Sequence, residues 1–345
     1  MRGLLKQAAI VGGLEAISRL RMDRLFPRAG GRGLIFTLHH VRPIEPKVFN
    51  PNAHLEITPY YLEAVMQAVR GAGLVPTRLE DLPARLADTS DHNRYVCFTL
   101  DDGYRNNASH AAPIFRRHGM PYTIFITPGF VDRSVTLWWE TAAELIGKVE
   151  RLEMDFGRGR ERLPTRTAKE KHEAFCRLCE AFRLVPEEEL VTRLDRLAAE
   201  SGIDPRGMVE RELMNAEDLR ALANDPLVSF GGHTMTHRKL ARLPEDEMRR
   251  EIRQSVETVA ALTEKPVTTF AYPYGTGCAA GEREFQAARE AGIRVAVTTR
   301  PGMLGDQTLE RLMSVPRVSL NGLYQKKHYI PALISGLPFK LKKMA

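Results

Sequence analysis

Cysteine is scarce in this sequence, with four residues among 345, too few for a disulfide framework at this length. Cys176 and Cys179 form a single Cys-x-x-Cys pair, whereas a four-ligand zinc site needs a second pair. No apolar run approaches the roughly 20 residues that span a bilayer, and the chain has no repeat or low-complexity tract. Since 43% hydrophobic and 27% charged residues are ordinary for a globular protein, a miniprotein, a coiled coil and a disordered chain are all excluded.

The net charge of +7 is concentrated at the two ends of the chain. Residues 1–32 carry seven basic and two acidic side chains, and residues 326–345 carry five lysines and no acid. The body between them is slightly acidic and lacks the electrostatic footprint of a nucleic-acid-binding domain, so we expect no nucleic-acid partner. The basic ends fit either a solvated surface or a weak contact with an anionic membrane.

The N-terminal stretch does not match a secretion signal. Gln7 and Glu15 interrupt its apolar residues, and no small-residue cleavage site follows. We therefore expect a cytoplasmic protein, with a location peripheral to the inner membrane surface as a further interpretation.

Seven short apolar runs predict buried strands, at residues 33–38, 94–100, 121–128, 227–232, 267–271, 294–299 and 314–320. Helical patterns precede most of them, which indicates parallel βαβ units. Six or seven such units favour a closed or nearly closed barrel. We predict an α/β fold, an irregular (β/α) barrel with six or seven parallel strands over residues 33–325. A basic N-terminal helical extension (1–32), a helical insertion (about 132–225) and a basic C-terminal tail (326–345) complete the expected organisation.

Polar side chains follow four of these strands: His39-His40, Asp101-Asp102, His233-Thr-Met-Thr-His237 and Tyr272-Pro273-Tyr274-Gly275. In a barrel, groups at the C-terminal ends of the strands collect at the catalytic face. Two histidines four residues apart, on one helical turn, point the same way and can bind one metal ion. A carboxylate with this pair predicts a three-ligand site that keeps positions open for water and substrate. Taken singly, an Asp-Asp-Gly is more often a turn or a helix cap, and most His-x-x-x-His pairs do not bind a metal.

Together the motifs resemble those of the polysaccharide deacetylase family, which includes chitooligosaccharide and peptidoglycan deacetylases. Thr99-Leu100-Asp101-Asp102-Gly103 is similar to its first motif, and His233-Thr234-Met235-Thr236-His237 matches its second. Ala271-Tyr272-Pro273-Tyr274-Gly275 is similar to its third, except that the family's arginine is absent. The resemblance runs from about residue 33 to 320 and leaves out the insertion. It implies a deacetylase that uses one divalent metal ion, with zinc the default and cobalt, manganese or iron as alternatives.

The resemblance also implies roles for individual residues. Asp102, His233 and His237 would bind the metal, Asp101 would be the general base, and the backbone N–H of Tyr274 would contact the oxyanion. A late Leu-x-His motif, which carries the general acid in many members, is missing. In a subset with circularly permuted motif order the acid histidine follows the first strand, and Leu38-His39-His40-Val41 resembles that pattern. His39 is therefore the expected acid, although a buried histidine at a strand end is the alternative interpretation.

Six residues are expected to contact the substrate: His40, Tyr272, Pro273, Trp138, Trp139 and Arg317. His40 could instead serve only as a hydrogen-bonding residue beside the site. The two tryptophans could form a sugar-stacking platform or pack into the core. Arg317, at the end of the last strand, is also a candidate substitute for the missing arginine of the third motif.

We expect a hydrolase that removes N-acetyl groups from amino-sugar residues of an oligo- or polysaccharide, cleaving a carbon–nitrogen amide bond and releasing acetate. The same groups could instead cleave an O-acetyl ester on a polysaccharide such as xylan. A catalytically inactive carbohydrate-binding barrel is an alternative of a different class. A metallophosphoesterase would usually need a second metal site, for which the sequence offers no ligands.

Overall fold

The computed structural model of the chain describes residues 2–344 and contains a closed barrel of seven parallel strands. The strands are β1 (Gly33–Leu38), β2 (Tyr95–Leu100), β3 (Tyr122–Ile126), β4 (Val228–Gly232), β5 (Thr269–Ala271), β6 (Val295–Pro301) and β7 (Val315–Ser319). They follow one another around the barrel in chain order, and β1 pairs with both β7 and β2, which closes it. The predicted (β/α) barrel is confirmed, and each predicted apolar run overlaps one of these strands.

The continuous apolar character of the runs follows from burial on both sides of the strands. Every residue of β1 and β2 is buried, and Phe36 lies in register between Phe98 and Val318. Parallel strands are covered by helices outside and filled by side chains inside, so both faces are mostly apolar. The carboxylates and histidines of the predicted motifs follow the strand ends, where the site forms.

The helices among residues 2–344 mostly lie between the strands. They are α1 (Arg2–Arg19), α2 (Met22–Leu25), α3 (Pro59–Gly71), α4 (Leu82–Ala87), α5 (Ala112–His118), α6 (Pro128–Val131), α7 (Trp138–Lys148), α8 (Ala168–Ala181), α9 (Glu187–Glu200), α10 (Pro205–Glu212), α11 (Ala216–Ala223), α12 (Glu245–Thr263), α13 (Glu282–Glu290), α14 (Ile330–Ser335) and α15 (Leu337–Met344). Helix α3 shows how the local sequence sets a helix start. Thr58 caps it by accepting a 3.0 Å hydrogen bond from the N–H of Tyr61, and Pro59 occupies the first helical position.

The insertion between β3 and β4 contains α6 to α11 and one antiparallel hairpin, Arg151–Asp155 with Arg160–Pro164. Helices were predicted here, but the hairpin was not. Buried Leu152 and Met154 alternate with more exposed neighbours over only five residues, too short a stretch for a distinct periodicity signal. Helices α7, α8 and α9 share a hydrophobic cluster of their own, which includes Leu145, Leu178 and Leu194. The insertion is therefore stabilised by its own core as well as by contact with the barrel.

Both ends of the chain pack onto the barrel and onto each other. Helix α1 contacts α14 and α15, and Leu14 and Ile330 belong to the main hydrophobic cluster. The segment after residue 326 is thus folded rather than a solvated tail. Met1 and Ala345, the outermost residues of the two predicted basic ends, lie outside the described residues. Across residues 2–344, no helix combines the length and apolar character needed to cross a membrane.

Candidate active site

Asp102, His233 and His237 meet at the C-terminal ends of β2 and β4. The Nε2 atoms of His233 and His237 lie 3.5 and 3.3 Å from Oδ1 of Asp102. One ligand atom from each of the three buried residues lies within 4.8 Å of the others. Among the described residues, nothing donates a hydrogen bond to Oδ1 of Asp102, an uncommon state for a buried carboxylate oxygen. A divalent cation fits this donor set, because one carboxylate and two imidazoles are typical ligands of a catalytic metal.

Hydrogen bonding orients His233 for such a role. Its Nδ1 lies 2.6 Å from the carbonyl oxygen of Ala271. Since a carbonyl only accepts, Nδ1 carries the proton and Nε2 keeps its lone pair toward Asp102. Oδ1 of Asp102 and Nε2 of His233, 3.5 Å apart, therefore present lone pairs to one point, as two ligands of the same cation would.

The loop that carries the two histidines is not the helical turn expected from their spacing. Residues 233–237 form an irregular loop in which Thr234 and His237 have left-handed backbone, at φ 60° and 57°. The N–H of His237 donates to Oγ1 of Thr234 over 2.9 Å, and the two imidazole rings lie 5.0 Å apart. The side chains converge as predicted, but through a turn rather than a helix.

Left-handed backbone is concentrated at this site. Seven non-glycine residues between 2 and 344 have positive φ, and Asp102 and Tyr274 join Thr234 and His237 among them. Each such residue costs on the order of 1–3 kcal/mol and persists where surrounding contacts determine its conformation. Four of the seven thus mark the place where the fold maintains strain in order to direct side chains.

Asp101, the neighbouring carboxylate, forms a buried bidentate pair with Arg317. Nη1 and Nη2 of Arg317 each lie 2.7 Å from one carboxylate oxygen of Asp101. Arg317 also donates to the carbonyl of Thr298 over 2.9 Å and to Oγ1 of Thr99 over 3.1 Å. Burial alone would raise the pKa of Asp101, but Arg317 outweighs that effect and lowers it. Arg317 is 1% exposed, which corrects the expectation that it contacts substrate. Its pairing with Asp101 instead fits the other suggestion, that Arg317 substitutes for the missing arginine of the third motif.

His39 lies beside the same carboxylate. Its Nε2 is 3.8 Å from Oδ2 of Asp101, and its side chain is 21% exposed, so the imidazole is close to the carboxylate and partly accessible. Burial lowers the pKa of His39 despite the nearby carboxylates. Asn107, a residue that the sequence did not single out for this site, donates a 2.7 Å hydrogen bond to the carbonyl of His39 and holds its loop.

Three of the residues expected to contact substrate are buried away from the pocket. His40 is fully buried; its Nδ1 lies 2.8 Å from Nδ2 of Asn106, and its ring packs against Tyr104. The hydroxyl of Tyr272 donates to the carbonyl of Met313. Pro273 is buried beside it. The structure therefore corrects the expected substrate contacts of His40, Tyr272 and Pro273, and leaves His40 a hydrogen-bonding residue behind the site.

The two tryptophans begin α7 and border a cavity of about 610 Å³ between the barrel and the insertion. Trp139 is buried and donates to the hydroxyl of Tyr104 over 3.1 Å. Trp138 is half-buried and donates to the hydroxyl of Tyr274 over 2.9 Å. The cavity reaches His237, and the polar residues that line the rest of it are Ser134, Thr136, Glu187, Glu188, Thr192, Asp195, Asp204, Arg206, Thr236 and Arg238.

A carboxylate, a histidine pair and a second carboxylate thus lie at the carboxyl ends of the strands of a parallel barrel, where barrel enzymes carry their catalytic groups. The family model for polysaccharide deacetylase matches residues 88–161 and 198–296. The chain belongs to the polysaccharide deacetylase family. A comparison with curated proteins gave no match.

Solved structures with a similar fold come from several bacteria. IcaB from Ammonifex degensii has 16% sequence identity and a TM-score of 0.55, over 88% of this chain and 98% of that one. The Streptococcus pyogenes deacetylase PplD, solved in complex with acetate, has 15% identity and a TM-score of 0.53, over 87% and 97%. A polysaccharide deacetylase from Bacillus cereus has 17% identity and a TM-score of 0.52, over 86% and 68%. At these identities the likeness concerns the fold.

Proposed function

We propose that this protein hydrolyses N-acetyl groups on amino-sugar residues of an oligo- or polysaccharide and releases acetate. The observation that carries the proposal is the convergence of Asp102, His233 and His237 beside Asp101, a carboxylate paired with Arg317 instead. In a metal-dependent hydrolase a ligand set binds the ion and a separate group can take the proton of the attacking water, and this site offers one carboxylate for each task. Membership of the polysaccharide deacetylase family supports the substrate class.

Asp102, His233 and His237 would hold one divalent ion, which we propose to be zinc, with cobalt, manganese or iron as substitutes. Such an ion, when bound, polarises an acetyl carbonyl and lowers the pKa of water. The chain supplies the remaining groups. Asp101 accepts the proton of the attacking water, and Arg317 keeps this carboxylate ionised and aligned.

Tyr274 and His39 would act on the oxygen and nitrogen of the acetamide. Among the described residues, nothing accepts a hydrogen bond from the backbone N–H of Tyr274, so this donor is free for a developing oxyanion. His39 would give a proton to the departing amine. Its Nε2 lies 3.8 Å from Oδ2 of Asp101, so the proton that Asp101 takes from the attacking water can pass to His39 and from His39 to the amine.

The cavity beside His237 is the proposed place for the glycan. Its volume of about 610 Å³ is within the range of about 300–1,000 Å³ that is usual for ligand pockets. Hydroxyl, carboxylate and guanidinium groups line it together with the half-buried Trp138 and other apolar side chains. This mixture suits a sugar, which presents hydroxyls at its edge and C–H groups on its faces.

Acetate release from a substrate panel tests the proposal. The panel contains N-acetylated amino-sugar oligomers of increasing length and O-acetylated xylan, each assayed with added zinc and after chelation, with Asp101→Asn as the inactive control. We expect metal-dependent acetate release from the N-acetylated oligomers. Release from xylan alone would replace the proposal with an O-acetyl esterase. Binding to the glycans without any release would instead support an inactive carbohydrate-binding barrel.

A further inference from the structure

We propose that Glu187, at the start of insertion helix α9, is a positioning residue that holds two loops of the active site in place. The inference rests on the proposed function, in which one loop carries the oxyanion donor and the other carries a metal ligand. Family resemblance does not point to Glu187: it lies between the two matched segments, 88–161 and 198–296. The insertion would thus take part in catalysis and not only in enclosing the cavity.

The two carboxylate oxygens of Glu187 bind different loops. Oε1 accepts a hydrogen bond from the hydroxyl of Tyr274, the residue whose backbone N–H would contact the oxyanion. Oε2 accepts a 3.2 Å hydrogen bond from the backbone N–H of Lys239, two residues after His237. The side chain of Glu187 therefore connects the loop that carries Tyr274 to the loop that carries His237. A displacement of Glu187 would change the position of both loops.

Tyr274 is fixed by contacts to its hydroxyl, its ring and its backbone carbonyl. Nε1 of Trp138 donates to its hydroxyl over 2.9 Å while that hydroxyl donates to Glu187. The ammonium group of Lys239 lies 4.7 Å from the centre of its ring. The carbonyl of Tyr274 accepts a 2.6 Å hydrogen bond from Oγ1 of Thr299. With the side chain and the carbonyl both anchored, the direction of the intervening backbone N–H is restricted, as a donor aimed at a transition state requires.

The insertion core keeps Glu187 itself in place. Leu190 and Leu194, one and two turns further along α9, are completely buried in the cluster that α7, α8 and α9 share. Phe182, just before α9, packs against Trp138 with ring centres 4.2 Å apart. The packed core of the insertion therefore fixes the position of Glu187. Such rigidity matters because a small displacement of a catalytic group can lower the rate by a large factor.

The test compares Glu187→Ala, Glu187→Gln and Tyr274→Phe, with Glu189→Ala as the matched control. Glu189 is on the same helical turn but pairs with Arg193 of its own helix. We expect Glu187→Ala to lower kcat for acetate release about 10- to 100-fold; because Glu187 also lines the proposed glycan cavity, the loss in kcat at saturating substrate is the measure of positioning. Glu187→Gln should recover part of the rate, because the amide oxygen can still accept from Tyr274. The losses in Glu187→Ala and Tyr274→Phe should not add in the double variant, since both break the same contact.

Hydrogen–deuterium exchange of the variants gives a readout that does not need activity. Peptides covering residues 233–240 and 272–276 should exchange faster in Glu187→Ala than in the wild type or in Glu189→Ala. Unchanged exchange, or a wild-type kcat in Glu187→Ala, would overturn the inference. If the wild-type protein releases no acetate from any N-acetylated substrate, the proposed function fails, and the exchange data alone decide whether Glu187 holds the two loops.

Discussion

Asp101 and Asp102 are adjacent in sequence but have opposite surroundings. Asp101 has both oxygens bonded to Arg317, whereas Oδ1 of Asp102 faces two imidazoles without a hydrogen bond. Asp102 also has left-handed backbone, at φ 75°. The proposed division of labour between a base and a metal ligand therefore follows from the different partners of two adjacent carboxylates.

Substitutions at Asp101 and His233 should distinguish loss of turnover from loss of metal binding. Asp101→Asn should lower kcat by about 10²- to 10⁴-fold, the usual contribution of a general base, while zinc still raises the melting temperature. In His233→Ala, zinc should no longer raise the melting temperature, because one of three ligands is lost. Acetate release and thermal unfolding with and without zinc check both variants. Wild-type turnover in Asp101→Asn would show that another group is the base.

His39 should matter for turnover more than for metal binding. Its imidazole contacts Asp101 at 3.8 Å and is not one of the three clustered ligand residues. We expect His39→Ala to lower kcat about 100-fold and to leave zinc affinity, measured by calorimetry, close to that of the wild type. An unchanged kcat would assign the acid role elsewhere, and a lost zinc affinity would make His39 a ligand.

Arg317 should be essential for stability as well as for activity. Arg317→Met leaves the buried carboxylate of Asp101 unpaired, and breaking one partner of a buried ion pair costs about 3–5 kcal/mol. The free energy of unfolding, from urea titration, should fall by that amount. Arg317→Lys should lose less stability but still lose turnover, since an ammonium cannot form the bidentate pair. Full activity in Arg317→Lys would contradict a role in aligning Asp101.

The motifs at single strand ends could be predicted from sequence, but the contacts between distant residues could not. Asp102, His233 and His237 form local patterns of known spacing, and the structure brings them together. Arg317 lies in a strand that reads as an ordinary apolar run, 216 residues from its partner Asp101. Glu187 lies in a charged helix where several glutamates look equivalent. The sequence offered Arg317 only as one candidate partner of Asp101, and the closed barrel brings the two together. Glu187 is singled out only by the packed insertion.

At the scale of elements, α12 supports the histidine loop. Glu251 of α12 is 5% exposed. It accepts hydrogen bonds from the N–H and Oγ1 of Thr236 over 2.9 and 2.6 Å, and one from Arg238 over 3.2 Å. Gly232 permits this close packing, because a Cβ there would meet Ser255 and Val256 at 2.8 Å. The helix thus reaches the loop between the two histidines directly.

Removing this support should weaken metal binding. Glu251→Ala frees the loop between His233 and His237, and loss of an outer-shell partner typically costs 10- to 100-fold in metal affinity. Calorimetric titration with zinc measures the change. Glu257→Ala, an exposed glutamate on the same helix, is the matched control and should bind zinc as the wild type does. Equal affinities in the two variants would show that the loop holds its shape without Glu251.

The elements that sequence predicted best are those with long, unbroken patterns. All seven barrel strands were anticipated because burial on both faces makes them continuous apolar runs. The hairpin at Arg151–Asp155 and the irregular loop at residues 233–237 were missed. Their shapes depend on packing against the insertion and on left-handed backbone at non-glycine residues, and neither leaves a periodic signal.

On the scale of the whole molecule, one carboxylate links the two ends of the chain. Glu15 of α1 accepts hydrogen bonds from Lys326 over 2.9 Å and from the hydroxyl of Tyr329 over 2.7 Å. The basic residues near the C-terminal end are thus partly engaged within the fold. A cytoplasmic location stays a prediction. Contact of the basic ends with an anionic membrane also stays a prediction, and sedimentation with anionic vesicles would test it.

The link through Glu15 predicts a pH dependence of stability. Hydrogen bonds from Lys326 and Tyr329 lower the pKa of Glu15 from 4.5 to about 2. A carboxyl whose pKa is lower in the folded state stabilises the fold above its unfolded pKa and ceases to do so as pH falls through the folded value. The melting temperature of the wild type should therefore exceed that of Glu15→Gln above pH 4.5, and the difference should shrink toward pH 2. A difference that is constant with pH would exclude this linkage.

The strained backbone at Asp102, Thr234, His237 and Tyr274 would shape any directed evolution of this protein toward heat tolerance. Glycine at such positions relieves strain and often raises stability. At Asp102 and His237 the same replacement removes a side chain of the proposed metal centre. A library screened only for survival at high temperature would therefore be enriched in robust but inert variants, and selection for turnover is needed in every round.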